Sequence, residues 1–218
     1  MVDLDGTMVD TMGDFAEALN RMLADLQLPA IDAQAIEPMV GKGSESLLRS
    51  VLTHVLGQDG APPAAADIER HYPAAWESYQ RHYAVINGHF SAVYDGVTHG
   101  LEQLRARGLK MACLTNKPQA FAVTLLQAKG LDAYFDHVFG GDSFERKKPD
   151  PLPLLKTCEA LGSQPASTLM VGDSSNDAEA AHRAGCPVVL VSYGYNHGRP
   201  IREVQAAGYV DALSELAA

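Results

Sequence analysis

Two aspartates two residues apart, Asp3 and Asp5, stand at the start of the chain and are followed at once by Gly6 and Thr7. At that spacing, after a short apolar start, both carboxylates would lie at the C-terminal lip of a strand, where open α/β sheets place their sites. Asp-Gly is equally the composition of an ordinary turn. A second cluster, Leu114-Thr115-Asn116-Lys117, also ends an apolar run. A hydroxyl and backbone N–H groups at the start of a following helix can hold phosphoryl oxygens, or Thr115 and Asn116 can serve as helix caps before Pro118. The third cluster is Arg146-Lys147-Lys148-Pro149-Asp150-Pro151, where a cation could neutralise a carboxylate and a phosphate together or face solvent. In the fourth, Gly172-Asp173-Ser174-Ser175-Asn176-Asp177, two aspartates four apart share one site if a helix begins between them. Hard oxygen ligands of this kind suit Mg²⁺; the same Asp-Ser-Ser run can also cap a helix.

Each cluster needs a strand to carry it. Lys110–Leu114, His137–Phe139, Thr168–Val171 and Pro187–Val191 read as short buried strands. Between them lie a helix with Phe121, Leu125 and Leu126 inward, then helices over Pro151–Leu161 and Asn176–Ala184. Gly130, Gly162 and Gly185 stand where C-terminal glycines would stop these helices. Strand and helix in alternation imply right-handed crossovers and a parallel, Rossmann-like sheet flanked by helices.

The segment from Thr11 to about Asn87 has a different texture. Phe15, Ala18, Leu19, Met22, Leu23 and Leu26 follow a helical period, and so do Leu47, Leu48, Val51, Leu52 and Val55. Ile68, Tyr72, Ala75, Trp76, Tyr79, Tyr83 and Ile86 predict a third helix whose start or kink lies near Pro73, with residues 57–66 as the loop before it. An all-helical insertion after the first strand is expected. It would occupy residues 14–90, leaving 1–13 and 91–218 as the α/β core.

The chain has 218 residues, with 17 Lys+Arg against 27 Asp+Glu and a net charge of −10. That balance argues against broad nucleic-acid binding, which rests on neutralising phosphates. There is no run of about 18 apolar residues and hence no candidate membrane-spanning helix. No basic segment followed by an apolar run opens the chain, so export by that route is not expected. Cys113, Cys158 and Cys186 are odd in number and far apart, which predicts reduced core thiols and a cytoplasmic protein.

Together and in this order, the four clusters resemble those of the haloacid dehalogenase superfamily of phosphohydrolases. Asp3-Leu4-Asp5-Gly6-Thr7 resembles its first motif, Thr115 its second, Lys148 its third and Gly172–Asp177 its fourth. Thr115-Asn116-Lys117, Lys147-Lys148-Pro149 and Asp10-Thr11 read most like its phosphoglycolate phosphatases. The resemblance implies Asp3 as the nucleophile that forms an aspartyl-phosphate. Asp5 would be the acid and base, a role that calls for a carboxyl able to hold a proton. Mg²⁺ would be bound by Asp3, the Asp5 carbonyl and Asp173, with Asp177 a ligand through water or an orienting group. Thr115 and the Asn116 backbone would hold phosphoryl oxygens, and Lys148, the lysine directly before the proline, would balance charge. Dehalogenases of the superfamily are expected to lack the second aspartate, since a halide leaves without a proton. The helical insertion would act as a cap. Within it Gly41-Lys42-Gly43 occupies the place of a substrate-reading loop, where Lys42 could reach a carboxylate or stay solvated. His82, Tyr83 and His89 read as packing or surface residues.

Two features depart from the family pattern. Asp95 stands where relatives often carry proline, and only Met1 and Val2 precede Asp3, whereas strands usually run to about 5–6 residues. The natural chain is therefore expected to start further upstream. The function so implied is Mg²⁺-dependent hydrolysis of a small phosphorylated metabolite, foremost 2-phosphoglycolate, by a monomer or homodimer. A β-phosphoglucomutase-type sugar-phosphate mutase would use the same four motifs. A receiver-like phospho-acceptor would carry its acidic pair and acceptor in another order, and no cap.

Overall fold

A computed structural model describes residues 1–57 and 63–217. Met1–Asp3 fills the centre of a parallel sheet although it is only three residues long. Val2 bridges Cys113 on one side and Val171 on the other. Backbone bonds from Val2 N to the Ala112 carbonyl, Leu114 N to Val2, Asp3 N to Val171 and Val171 N to Met1, each 2.9 Å, secure both flanks. Beyond it on one side lie β3 (Ala112–Leu114) and β4 (His137–Phe139). On the other lie β5 (Met170–Gly172), β6 (Val188–Val191) and β7 (Gly208–Val210). The order β4-β3-Met1–Asp3-β5-β6-β7 is that of an open α/β sheet, and the strands that end nearest its centre carry the polar clusters.

Helices α5 (Val97–Ala106), α6 (Gln119–Ala128), α7 (Leu152–Leu161) and α8 (Ser175–Ala184) flank this sheet. Gly162 and Gly185 follow α7 and α8 with left-handed backbones (φ 65° and 77°), as their positions predict. Two apolar clusters, one built on Val2, Leu4, Cys113 and Val171 and one on Leu114, Leu154, Met170 and Leu190, line its two faces. The three cysteines are buried and unbridged. Strand β7 and helix α5 were not anticipated from the sequence. Phe121 is only partly buried; it leaves the sheet and meets the Tyr83 ring edge-on at 5.0 Å.

The chain leaves the sheet through β1 (Val9–Asp10) and returns through β2 (Ala92–Val93), which pair antiparallel. Between them stand α1 (Met12–Asp25), α2 (Ala33–Ile36), α3 (Ser44–Leu56) and α4 (Ala65–Ile86). Their apolar faces form a separate core, to which Tyr195 is the one buried contributor from beyond residue 86. Helix α4 runs through Pro73 rather than starting there. Pro73 is on the solvent side, while Ala75, Tyr79 and Tyr83 are buried, so packing overrides the lost backbone bond. Trp76 is 37 % exposed, outside the face its spacing placed it on. Residues 58–62 of the loop expected at 57–66 lie outside the described residues, and its last two residues already belong to α4. The fully buried Asp14 ties the two crossings together, accepting from Gly88 N (2.8 Å) and Phe90 N (2.7 Å). No helix among the described residues is long and apolar enough to cross a membrane.

Candidate active site

The turn after Asp3 folds back tightly, with Met8 N and Val9 N both donating to the Leu4 carbonyl. Gly6 takes φ +82° there, and a Cβ on it would lie 2.3 Å from Asp173 Oδ2. Only glycine meets both demands. The turn thus sets Asp3 and Asp5 beside the ends of β3 and β5, which bring Thr115–Lys117 and Asp173.

Beneath them, Lys148 is 3 % exposed. It donates to Asp177 Oδ1 (2.7 Å) and the Leu114 carbonyl (2.8 Å), and its Nζ lies 3.0 Å from Asp3 Oδ1. Burial opposes the charge, but Asp177 and Asp3 more than offset it and hold the ammonium above its ordinary range. Arg146 and Lys147, the other members of the basic run, are exposed. Asp177 Oδ2 accepts from Ser174 Oγ (2.8 Å), Ser174 N (3.2 Å) and Asp173 N (3.3 Å), closing a capping box at the start of α8. Asp173 accepts from Thr7 Oγ1 (2.9 Å) and Tyr195 N (2.6 Å). Asp3, Asp173 and Asp177 bring ligand oxygens within 4.8 Å of one another. Burial first, and then the charges of Asp177 and Asp3, push Asp173 well above the carboxylate range. Burial, with Asp177 adding and Lys148 opposing, pushes Asp3 up to about 7.

Of these three buried carboxylates, Asp3 and Asp177 share the Lys148 ammonium while Asp173 has hydroxyl and backbone donors, and Asp3 Oδ1 has no well-aligned hydrogen-bond donor. Such a site lacks positive charge and offers hard oxygens, which fits Mg²⁺. Both Asp177 oxygens already accept hydrogen bonds, Oδ1 from Lys148 and Oδ2 from Ser174 and the backbone, which holds the carboxylate in place beside the other two.

A cavity opens above the cluster. Asp3, Asp5, Thr115, Asn116 and Asp173 line it from the sheet; Gly41, Gly43, Ser44, Leu47, Tyr79 and Tyr83 line it from the helical insertion. The insertion is latched to the sheet. Asn116 Nδ2 donates to the Gly41 carbonyl (2.9 Å) and to that of Lys148 (2.8 Å), and Asn176 Nδ2 reaches Gly41 at 3.2 Å. Lys42 does not join the cavity. Gly41 (φ +102°) and Gly43 (φ +85°) turn the loop's backbone toward the sheet, and the exposed Lys42 side chain leaves on the outer side, beside Lys147 and His197. Asp5 has a cation beside it: the buried Lys117 Nζ lies 3.0 and 3.3 Å from its two oxygens.

The family model for haloacid dehalogenase-like hydrolases matches residues 1–191. The chain belongs to this family. Among its relatives, the phosphoglycolate phosphatase of Thiobacillus denitrificans is 43% identical over 217 residues, spanning 100% of this chain and 92% of that one. That of Nitrosospira multiformis is 45% identical over 215 residues, or 99% and 92% of the two chains. The crystal structure of a predicted phosphoglycolate phosphatase from Haemophilus somnus 129PT superposes with a TM-score of 0.91 at 32% identity, covering 99% of this chain and 94% of that one.

In this member of the haloacid dehalogenase-like hydrolases, several site residues escape the motif pattern. Tyr195 N holds Asp173, and its hydroxyl hydrogen-bonds to Asp10 and accepts from Thr11 N (3.0 Å) and Met12 N (3.2 Å), joining the acidic cluster to the start of α1. A Cβ on Gly194 would fall 2.1 Å from that of Asp173. Tyr83 is buried and accepts from Lys117 Nζ at 2.5 Å, whereas His82 pairs with Asp25 and His89 is exposed, as surface residues should.

The raised carboxyls predict how stability depends on pH. For Asp3 the unfolded chain releases its proton near 3.8 and the folded chain near 7, so the folded state binds more protons between those values. Metal-free stability should therefore fall as pH rises from about 4 to about 7, with Asp173 acting in the same direction. A Mg²⁺ ion held by these carboxylates would relieve their repulsion, so its addition should raise Tm more at pH 8 than at pH 5 in thermal scans. A shift of equal size at both values would contradict this.

Proposed function

We propose that the chain is a Mg²⁺-dependent phosphoric monoester hydrolase whose substrate is a small phosphorylated acid, foremost 2-phosphoglycolate. One observation carries the reading. Asp3 and Asp5 share a turn at the mouth of the closed cavity, with Lys148 behind Asp3 and the phosphate-holding groups of Thr115 and Asn116 beside them. The full-length similarity to phosphoglycolate phosphatases supports the substrate.

In this reading Asp3 attacks phosphorus, forming an O–P bond as the ester P–O bond breaks. Asp5 gives its proton to the departing alkoxide, then takes one from the water that cleaves the aspartyl-phosphate. That proton is needed for an alkoxide and not for a halide, which separates this site from a dehalogenase. Lys148 keeps Asp3 in place and offsets the charge gathering at the phosphoryl group. Thr115 and the Asn116 backbone hold its oxygens. Asp3, the Asp5 carbonyl and Asp173 would hold Mg²⁺, which when bound offsets the repulsion between a carboxylate nucleophile and a phosphate dianion. Residues 14–90 act as the cap that keeps bulk water out, latched through Gly41. The unbridged thiols suit a cytoplasmic setting.

Phosphate release from 2-phosphoglycolate, sugar phosphates and a nitrophenyl ester, with and without Mg²⁺, tests this. The reading predicts metal-dependent turnover that is fastest on 2-phosphoglycolate. Interconversion of hexose phosphates without net phosphate release would contradict it in favour of a mutase.

A further inference from the structure

Lys117 is buried at 5 % exposure and is the one lysine, arginine or histidine among the described residues lining the cavity. Its ammonium is held in place on several sides. Besides Asp5 and the Tyr83 hydroxyl, the faces of Phe15 and Tyr83 each lie 4.8 Å from Nζ. The Tyr79 ring stacks on that of Tyr83 at 5.2 Å. The Tyr79 hydroxyl is buried in the same cavity wall without a well-formed hydrogen bond, Ser44 being the neighbouring hydroxyl. A buried donor without an acceptor costs free energy that a bound anion would recover.

We propose that Lys117 and Tyr79 read the carboxylate of the substrate, making Lys117 the residue that selects phosphorylated acids over uncharged phosphate esters. This rests on the phosphatase reading and deepens it. The other charged side chains lining the cavity among the described residues are Asp3, Asp5 and Asp173, so Lys117 is the side chain there that favours a second anion. Thr115, assigned to the phosphoryl group, and Lys117 are two residues apart on one loop, with Lys117 N donating to Thr115 Oγ1 at 3.2 Å. One short loop therefore carries a group for each end of the ligand. Lys42 is exposed outside the cavity and has no part in this recognition.

The test compares kcat/KM for 2-phosphoglycolate with that for ethyl phosphate, which lacks the carboxylate, in wild type, Lys117→Met, Tyr79→Phe and Lys42→Met. Wild type should prefer 2-phosphoglycolate. Lys117→Met slows both reactions, because it also frees Asp5, but it should shrink the preference by about tenfold to a hundredfold. Tyr79→Phe, the milder change, should shrink it by roughly threefold to tenfold, mainly through KM. The ratio should stay in place in Lys42→Met. Equal losses on both esters in Lys117→Met and Tyr79→Phe would overturn the assignment and leave Lys117 as a positioning residue for Asp5. Loss of the preference in Lys42→Met would overturn it too. A wild type without any preference would instead remove the phospho-acid reading on which the assignment stands.

Discussion

Asp3→Asn is expected to lower phosphate release by roughly 10⁴-fold or more while leaving the protein folded. An amide has no anionic oxygen to attack phosphorus, so neither half of the two-step route can begin. The fold should tolerate the change because Asp3 is one of three clustered carboxylates and shares its Lys148 partner with Asp177. Removing its charge leaves Lys148 paired with Asp177 at 2.7 Å and relieves repulsion toward Asp173. The metal-free variant should melt at or above the wild-type temperature, and most of the stabilisation by Mg²⁺ should be lost. Calorimetry with and without Mg²⁺, beside the phosphate assay, separates this outcome from unfolding. A variant that is inactive because it is unfolded would contradict the placement of Asp3.

Lys148→Met should act in the opposite sense on stability. Its side chain is 2 % exposed, and its ammonium is the one basic group on the fully buried Asp177. Methionine fills similar volume but leaves Asp177 and Asp3 buried without a counter-charge. Loss of one partner from such a pair costs about 3–5 kcal/mol, on the order of 10 °C in Tm for a chain of this size. The Leu114 carbonyl also loses its donor from Lys148, at the end of the strand that leads to Thr115. Turnover should fall by at least about a hundredfold, since charge near the phosphoryl group goes unbalanced. The double change Lys148→Met with Asp177→Asn should recover part of the stability and none of the activity. Thermal melts of the three variants, with phosphate release on each, check both halves. Lys147→Met, at an exposed position, is the comparison that should change neither.

The sheet and the acidic cluster were legible because each rests on local pattern. The apolar runs before Thr115 and Asp173 mark strand ends, and the glycines at 162 and 185 mark helix ends, from a few neighbouring residues. Asp3, Asp5, Thr115, Asn116 and Asp173 accordingly meet at one cavity, with Lys148 and Asp177 directly beneath. What escaped depends on contacts far apart in the chain. Lys117 meets Asp5 across 112 positions, and Tyr195 meets Thr11 across 184. Nothing in the neighbourhood of either residue announces its partner. The sequence leaves Lys42 open between a carboxylate contact and solvent for a related reason. Its flanking glycines mark a loop near the site, but the side on which a side chain leaves such a loop follows from backbone angles that composition does not reveal. Helix α4 passes Pro73 because the tertiary packing of Tyr79 and Tyr83 outweighs the local preference.

The most direct test of the account is to find where the phosphoryl group goes. Rapid acid quench of the enzyme turning over 2-phosphoglycolate, followed by peptide mapping, should place a transient phosphoryl group on Asp3, absent from Asp3→Asn and from enzyme without Mg²⁺. A phosphoryl group on any other residue, or phosphate release with Asp3 never modified, would contradict the account.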